Sequence, residues 1–440
     1  MRKSTLGKEQ ELLLLDTDTL KVKNVALEIF YQIKNAIASG ERRINGEWSK
    51  YAPFEGKFGI GEETNTAVIE IISNTTDSIP NLHQDLVQKG RALEEICKEY
   101  NAIPIATSEF GHGAGKVIPK KAWKGIGIYE VLIGLDTYRK MVSAAGGHTH
   151  ILQPNGVEKR FKLYRLLRSL DVAFTFASSS PISHLGKHEV NCHRLNLVRN
   201  QMPLDPRGYI LDSKIEDYRP IETFENRGRE TNKRWKKICV ERGISPKDFD
   251  PTFLIDGTGF PSERARIKYP TIEIRGPDAN TLPVDLAMAT FYRGARDRLE
   301  QENPHQTISN KKYDWKYSGQ QMILPNFATI KEHEQIGIRN GLNSHSGLIK
   351  EFLWEAIEYS ESGLTAEEKP YLQPLKDMLI TGKNLSTQAI EYIDVVKEEQ
   401  LSPEKLEKTA RFFREKYVQG LNYKQPEKQN ISYQKHLTHK

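Results

Sequence analysis

The chain has 440 residues, of which 38% are hydrophobic and 28% charged, the composition of a folded globular protein rather than a disordered or fibrous one. Its 64 Lys and Arg exceed its 58 Asp and Glu by a formal charge of only +6, whereas a nucleic-acid binder is expected to gather a larger excess in one stripe. Three cysteines, Cys97, Cys192 and Cys239, are too few for a disulfide framework or a thiolate metal cage, so a reducing cytoplasm is the expected setting.

From the N-terminus, residues 6–16 alternate enough for a strand, closed by a turn at Asp16–Thr19. The apolar run within it, Leu12–Leu15, is too short and too closely flanked by Glu11 and Asp16 to be a secretory signal. LKVKNVALEIFYQIKNAIASGE carries apolar residues at helical spacing and stops at Gly40. A Gly/Pro-rich loop, 45–62, leads to TAVIEIIS, a β-branched strand around Glu70. Asp77 is the expected cap of the next helix, whose apolar ladder includes Leu82, Leu86, Leu93 and Ile96. AIPIATSEF reads as a short buried strand, and 126–143 as a helix or strand leading into AAGGHTHIL. FKLYRLLRSLDVAFTFAS reads as one helix ending at the Ser178–Pro181 loop.

Residues 200–265 are irregular and charged, with one helix near 222–242 on which the basic run Arg227–Arg242 forms a solvated face. YPTIEIRGPD gives a strand between two prolines, 282–303 an amphipathic helix, and about 330–420 a helical region. The last twenty residues read as a disordered tail. No internal repeat and no run of roughly 18 uncharged apolar residues is present, so no membrane partner is expected. Strands and helices interleave without strict βαβ alternation, which predicts an α+β fold with a largely antiparallel, curved sheet flanked by helices. The expected division is a catalytic domain over 1–330, a helical C-terminal part over 331–420 packed on it, and the tail 421–440.

Four strand candidates share a habit: ionisable residues two apart, or one within an apolar run. Glu9 and Glu11 share a face of KEQELLLL, His148 and His150 of GGHTHIL, Glu273 and Arg275 of TIEIR, and Glu70 sits among valine and isoleucines. Each pair alone reads as a solvent face, but a carboxylate within an apolar run costs several kcal/mol to bury unless a cation or hydrogen bonds meet it. One sheet face collecting these groups would hold a divalent metal and a polyphosphate. With Glu9, Glu11, Glu63 and Glu70 as candidates, oxygen donors dominate, and these suit Mg²⁺ or Mn²⁺ better than zinc. FGHGAGKV, 110–117, fails as a phosphate-binding P-loop, because Phe110 and Val117 stand where Gly and Ser or Thr are required. No Gly-x-Gly-x-x-Gly fingerprint is present either, so a nucleotide would sit on the sheet itself.

Taken in order, these blocks resemble the carboxylate–amine ligases of the second glutamate–cysteine ligase family. The opening LGKEQELLLLD is similar to that family's first acidic strand, and Glu63 with Glu70 in VIEI to its second. GGHTH, SSSPI followed by Arg194 in NCHR, and ARIKYPTIEIRGPDA match its later blocks, the last most closely. The resemblance spans about residues 6–300 and implies a glutamine synthetase-like fold with ATP and Mg²⁺ as cofactors. It implies that Glu9, Glu11, Glu63, Glu70, His148 and Glu273 surround the metal, with His148, His150 and Arg275 at the nucleotide. Arg275, Arg264 and Arg194 would hold phosphate or the substrate carboxylate during catalysis. The implied reaction joins a carboxylate, usually the γ-carboxyl of glutamate, to an amine, usually that of cysteine, through an acyl phosphate, a step of glutathione biosynthesis.

The sequence departs from the family at Lys8 and Gln10, where an apolar residue and an acid are common, which is expected to remove one charge near the metal. Ile151 and Leu152 also depart. The loops 45–62 and 105–118 are candidate lids. Small-molecule substrates are the expected partners, with a homo-oligomer left open. Two other readings remain: a metal-dependent hydrolase using the His-x-His strand, and a non-catalytic nucleic-acid binder using 227–242 and the basic tail.

Overall fold

Among the described residues a seven-stranded, wholly antiparallel sheet organises the fold, with strand order β4-β5-β1-β7-β9-β8 and β6 also paired to β1. In chain order the strands are β1 (Leu6–Asp16), the ribbon β2 (Arg43–Ile44) and β3 (Glu47–Trp48), β4 (Ile60–Glu62), β5 (Val68–Ile72), β6 (Ala102–Ile105), β7 (Gly147–Leu152), β8 (Glu263–Ala265) and β9 (Thr271–Ile274). The computed structural model describes residues 4–40, 43–44, 47–55, 59–63, 65–111, 144–197, 200, 233, 236–243, 245, 263–265, 271–309, 315–343 and 347–424. All of 112–143 and most of the segment 200–265 and of the tail, and with them the GHGAGK loop after Gly111 and half of the basic run, lie outside the described residues. So do parts of both loops read as lids.

The alternation along β1 decides what each face of the sheet does. Leu6, Leu12 and Leu14 join Ile69, Ile71, Ile151, Ile272 and Ile274 in the main apolar core on one face. That face packs on α1 (Ala26–Ala38), α2 (Ile79–Lys98), α3 (Val157–Ser169) and α4 (Leu282–Glu302). On the opposite face β1 begins polar, at Glu9 and Glu11, and turns apolar at Leu13 and Leu15. There Leu13, Leu15, Val68 and Ile105 pack against Leu385, Ala389, Phe412 and Phe413. Among the described residues of the C-terminal part, five α-helices follow: α5 (Phe327–Asn340), α6 (Gly347–Ser362), α7 (Gln373–Thr381), α8 (Leu385–Ile393) and α9 (Pro403–Leu421). α8 and α9 thus cover the apolar end of the front face and leave its polar end to the glutamates and histidines.

Several local expectations are corrected. Asp77 does not cap α2; Ser78 does, its hydroxyl accepting from the Asn81 N–H at 3.4 Å. The stretch 161–178 is not one helix: α3 ends at Ser169, and Asp171–Ala177 forms a buried 3₁₀ turn. Arg168 pairs with Asp171 at that break, both buried. Helix α4 is not amphipathic, because it is buried nearly all round. Its Arg293 is neutralised inside, 3.1 Å from Glu368 on the C-terminal part. A second sheet, unforeseen, pairs β10 (His305–Ile308) and β11 (Lys316–Ser318) on either side of β12 (Gln321–Leu324). Among the described residues no helix is long and apolar enough to cross a membrane.

Candidate functional site

Strand register alone brings the ionisable pairs together. Glu11 of β1 stands directly opposite Glu70 of β5, and Glu9 opposite His148 of β7. His150 stands opposite Glu273 of β9, which in turn faces Arg264 of β8. Alternate residues of a strand share a face, so Glu9, Glu11, Glu70, His148, His150, Glu273 and Arg275 all project to the front. Arg264 holds its place in this register; its side chain lies outside the described residues. The face is one constellation assembled from four strands, β1, β5, β7 and β9.

Side-chain contacts bear out the register. Glu9 is the hub: His150 Nε2 lies 2.9 Å from its Oε1, and His148 Nδ1 lies 3.2 Å from its Oε2. His148 Nε2 is 3.6 Å from Glu11 Oε1, and Nδ1 is 3.7 Å from Glu273 Oε1. Arg275 pairs closely with Glu273. Three sets of ligand atoms converge within 4.8 Å of one another: Glu9–His150–Glu273, Glu9–Glu70–His148 and Glu11–Glu63–Glu70. Glycines make room for this crowding. A Cβ at Gly61 would overlap the Glu70 carboxylate, and one at Gly146 would lie 2.5 Å from His148 Nε2. Gly146 also donates its N–H to Glu11 Oε2 at 2.5 Å.

The electrostatics follow from burial. Burial alone would raise the Glu9 carboxyl, but hydrogen bonds from His148 and His150 together outweigh it and hold Glu9 well below the usual carboxylate range. Burial, the largest influence, and the charge of Glu9 oppose ionisation of Glu273, but the adjacent Arg275 guanidinium and both histidines together outweigh them and bring it to about 2. Among the described residues Glu70 has no such cation. Burial, followed by the charges of Glu9, Glu63 and Glu11, pushes it well above the ordinary value. His148 is driven down, first by burial and then by Arg275, so its ring stays neutral.

This arrangement fits a hard divalent cation. The donors are mainly carboxylate oxygens. His148, 1% exposed, directs Nδ1 at Glu9 while its Nε2 makes no hydrogen bond, so the neutral ring presents a lone pair beside Glu11. A shared cation would also relieve the like-charge crowding that raises Glu70.

Arg194 is placed differently from Arg275. It donates to the carbonyls of Arg275, Gly276 and Pro277 at 3.0–3.3 Å and fixes the backbone leaving β9. Asp278 anchors the Ser178–Ser180 turn, accepting from Ser179 N at 2.9 Å and Ser180 Oγ at 2.7 Å. Cys192 is buried against Asp278, and burial then that charge push its thiol well above its ordinary value, consistent with a packed small residue.

Lys8 and Gln10 point to the back face, so neither alters the charge beside Glu9, which corrects the expectation drawn from that departure. Lys8 Nζ lies 2.9 Å from Asp285 Oδ1 on α4, both side chains 0% exposed, and Gln10 Nε2 donates to Asp285 Oδ2 at 2.7 Å. Nothing in the sequence joined Lys8 to a helix far along the chain.

The solved structure of glutamate–cysteine ligase from Francisella tularensis, in complex with AMP, superposes over 97% of this chain and 90% of its own, with a TM-score of 0.56 and 12% sequence identity. The chain has the glutamate–cysteine ligase fold. A bifunctional glutathione synthetase from Pasteurella multocida matches over 95% of this chain at a TM-score of 0.55 and 12% identity. This chain covers 53% of that longer enzyme. No sequence-family model matches the chain, and no curated protein matches it. The α+β expectation and the family resemblance in fold are therefore both met by the structure.

Proposed function

We propose that the chain is an ATP- and Mg²⁺-dependent ligase that joins a carboxylate to an amine through an acyl phosphate, with glutamate and cysteine as the substrate pair. The observation that carries this reading is the convergence of Glu9, Glu11, Glu70, His148, His150, Glu273 and Arg275 on one sheet face. It is supported by the fold shared with glutamate–cysteine ligase and by the AMP bound to the Francisella tularensis enzyme.

A carboxylate is a poor acyl donor, and phosphorylation by ATP converts it into an acyl phosphate with phosphate as the leaving group. Phosphoryl transfer needs charge neutralisation and in-line positioning rather than a protein nucleophile. Mg²⁺ (or Mn²⁺) held by Glu9, Glu11, Glu63, Glu70, His148 and Glu273 would supply neutralising charge to the phosphate oxygens. Arg275, with 28% of its side chain exposed, is placed to offer guanidinium donors to the transferred phosphoryl or the substrate carboxylate. Arg264, across from Glu273, is assigned the same task, and His150 the nucleotide side. Arg194 acts through the backbone that carries Arg275. Residues 1–330 carry the chemistry in this reading, and the helices of 331–420 buttress the front face. The buried thiols suit a reducing cytoplasm.

Incubation with ATP, Mg²⁺, glutamate and a panel of amino acids tests the proposal. Phosphate release should require both acid and amine and be greatest with cysteine. Release indifferent to both, or absent with every pair, would overturn it.

A further inference from the structure

A histidine–carboxylate pair is carried by two segments bonded to the backbone that enters the cradle, and it belongs to none of the three ligand sets. Beyond β6 the chain continues through Thr107, Ser108 and Glu109, tied to the walls of the site. Thr107 Oγ1 donates to the Ser179 carbonyl at 2.6 Å, and the Ser108 hydroxyl donates to the Ala145 carbonyl. Ala145 immediately precedes Gly146, whose N–H meets Glu11. Glu109 is 5% exposed, and its Oε1 accepts from both the backbone N–H and the ring Nδ1 of His184, each at 2.7 Å. His184 follows the Ser178–Ser180 turn that Asp278 anchors. The side chain of His184 keeps 19% exposure, and the hydrogen bonds it makes to Glu109 run through Nδ1 and the backbone N–H, leaving Nε2 out of both.

A buried carboxylate holding Nδ1–H fixes the tautomer and leaves the lone pair on an open Nε2, the arrangement of a general base. The other histidines of the segment lack this opening. His193 is buried and its Nε2 accepts from the Glu189 N–H at 3.3 Å; His188 is buried and spends Nδ1 on the Pro181 carbonyl at 2.8 Å.

We propose that His184, held by Glu109, is the base that deprotonates the acceptor amine; this rests on the ligase reading above. An amino acid's amine is an ammonium at neutral pH and has no lone pair for attack. His184 Nε2 takes one proton from it. The nitrogen lone pair then forms the C–N bond, the C–O bond to phosphate breaks, and phosphate leaves with that electron pair. The nitrogen's second surplus proton goes to the departing phosphate, and His184 returns its own to solvent.

Hydroxylamine tests this, because it is largely unprotonated at neutral pH and needs no base. The wild-type protein, supplied with ATP, Mg²⁺ and glutamate, should form a hydroxamate with hydroxylamine and an amide with cysteine. His184→Gln should keep hydroxamate formation within about threefold and lose amide formation by at least roughly 100-fold. Glu109→Gln should show the same selectivity more weakly. Retention of both products, or equal loss of both in both variants, overturns the inference while leaving the ligase reading in place. No hydroxamate from the wild type overturns that reading, and this inference with it.

Discussion

The Lys8–Asp285 pair makes a quantitative prediction about stability that is separable from catalysis. Both side chains are 0% exposed and 2.9 Å apart on the back face, with Gln10 the other side-chain donor to the carboxylate. Asp285→Leu leaves a fully buried ammonium without its counter-ion and should lower stability by about 3–5 kcal/mol. Lys8→Met should cost less, about 2–3 kcal/mol, because burial already favours a protonated Asp285 and the neutral acid keeps its bond from Gln10. The double variant Lys8→Met/Asp285→Leu removes both charges together and should regain most of the loss. Urea denaturation of the four proteins reads these differences. ATP turnover by the folded variants should change little, since both groups face away from Glu9. Single variants that each lose under about 1 kcal/mol would mean that the pair is not desolvated, and would refute the reasoning.

Four further outcomes are expected. Glu273→Gln should cut ATP turnover by at least roughly 100-fold with an unchanged circular dichroism spectrum, whereas near-normal turnover would remove Glu273 from the cation shell. Gly61→Ala forces the Glu70 carboxylate aside and should weaken Mn²⁺ binding about tenfold in a direct titration; unchanged affinity would show that Glu70 is not a ligand. Because burial and neighbouring glutamates raise Glu70, a cation must displace its proton, so Mg²⁺ affinity should rise as pH approaches that raised pKa from below and then level off. Calorimetry in buffers of different ionisation enthalpy should detect the released proton, and an affinity that falls with rising pH would contradict this. A chain ending at Gln419 should lose roughly 2–5 kcal/mol relative to one ending at Lys424, because it lacks Leu421, packed at Gly90, and the Tyr423 carbonyl that meets His83. Equal denaturation midpoints would contradict that.

The candidate site was legible because strand periodicity survives folding. Glu9/Glu11, His148/His150 and Glu273/Arg275 each sit two apart, and antiparallel pairing needs only the right register to align them. Glu70 stood out by its apolar neighbours. The same rule, applied to Lys8 and Gln10, would have put them on the back face; reading them as neighbours of Glu9 followed chain adjacency instead of side-chain direction. What remained hidden depends on long-range packing. The partners Asp285 for Lys8 and Glu368 for Arg293 are remote in sequence, so α4 read as amphipathic although its charges are neutralised inside. Glu109 and His184 belong to irregular segments where no period marks which side chains meet. The β10–β12 sheet escaped because its strands are only three or four residues long, too short for a period to show, and β10 and β11 are largely polar.

The central claim is that carboxylates and imidazoles from separate strands share cations on one sheet face, with Glu9 common to two of the three ligand sets. Mn²⁺ titration followed by electron paramagnetic resonance, on the wild type and on Glu9→Gln, tests it most directly. The account predicts bound Mn²⁺ in the wild type and at least roughly tenfold weaker binding in the variant. Identical binding by the two proteins, or none by the wild type with ATP present, would contradict it.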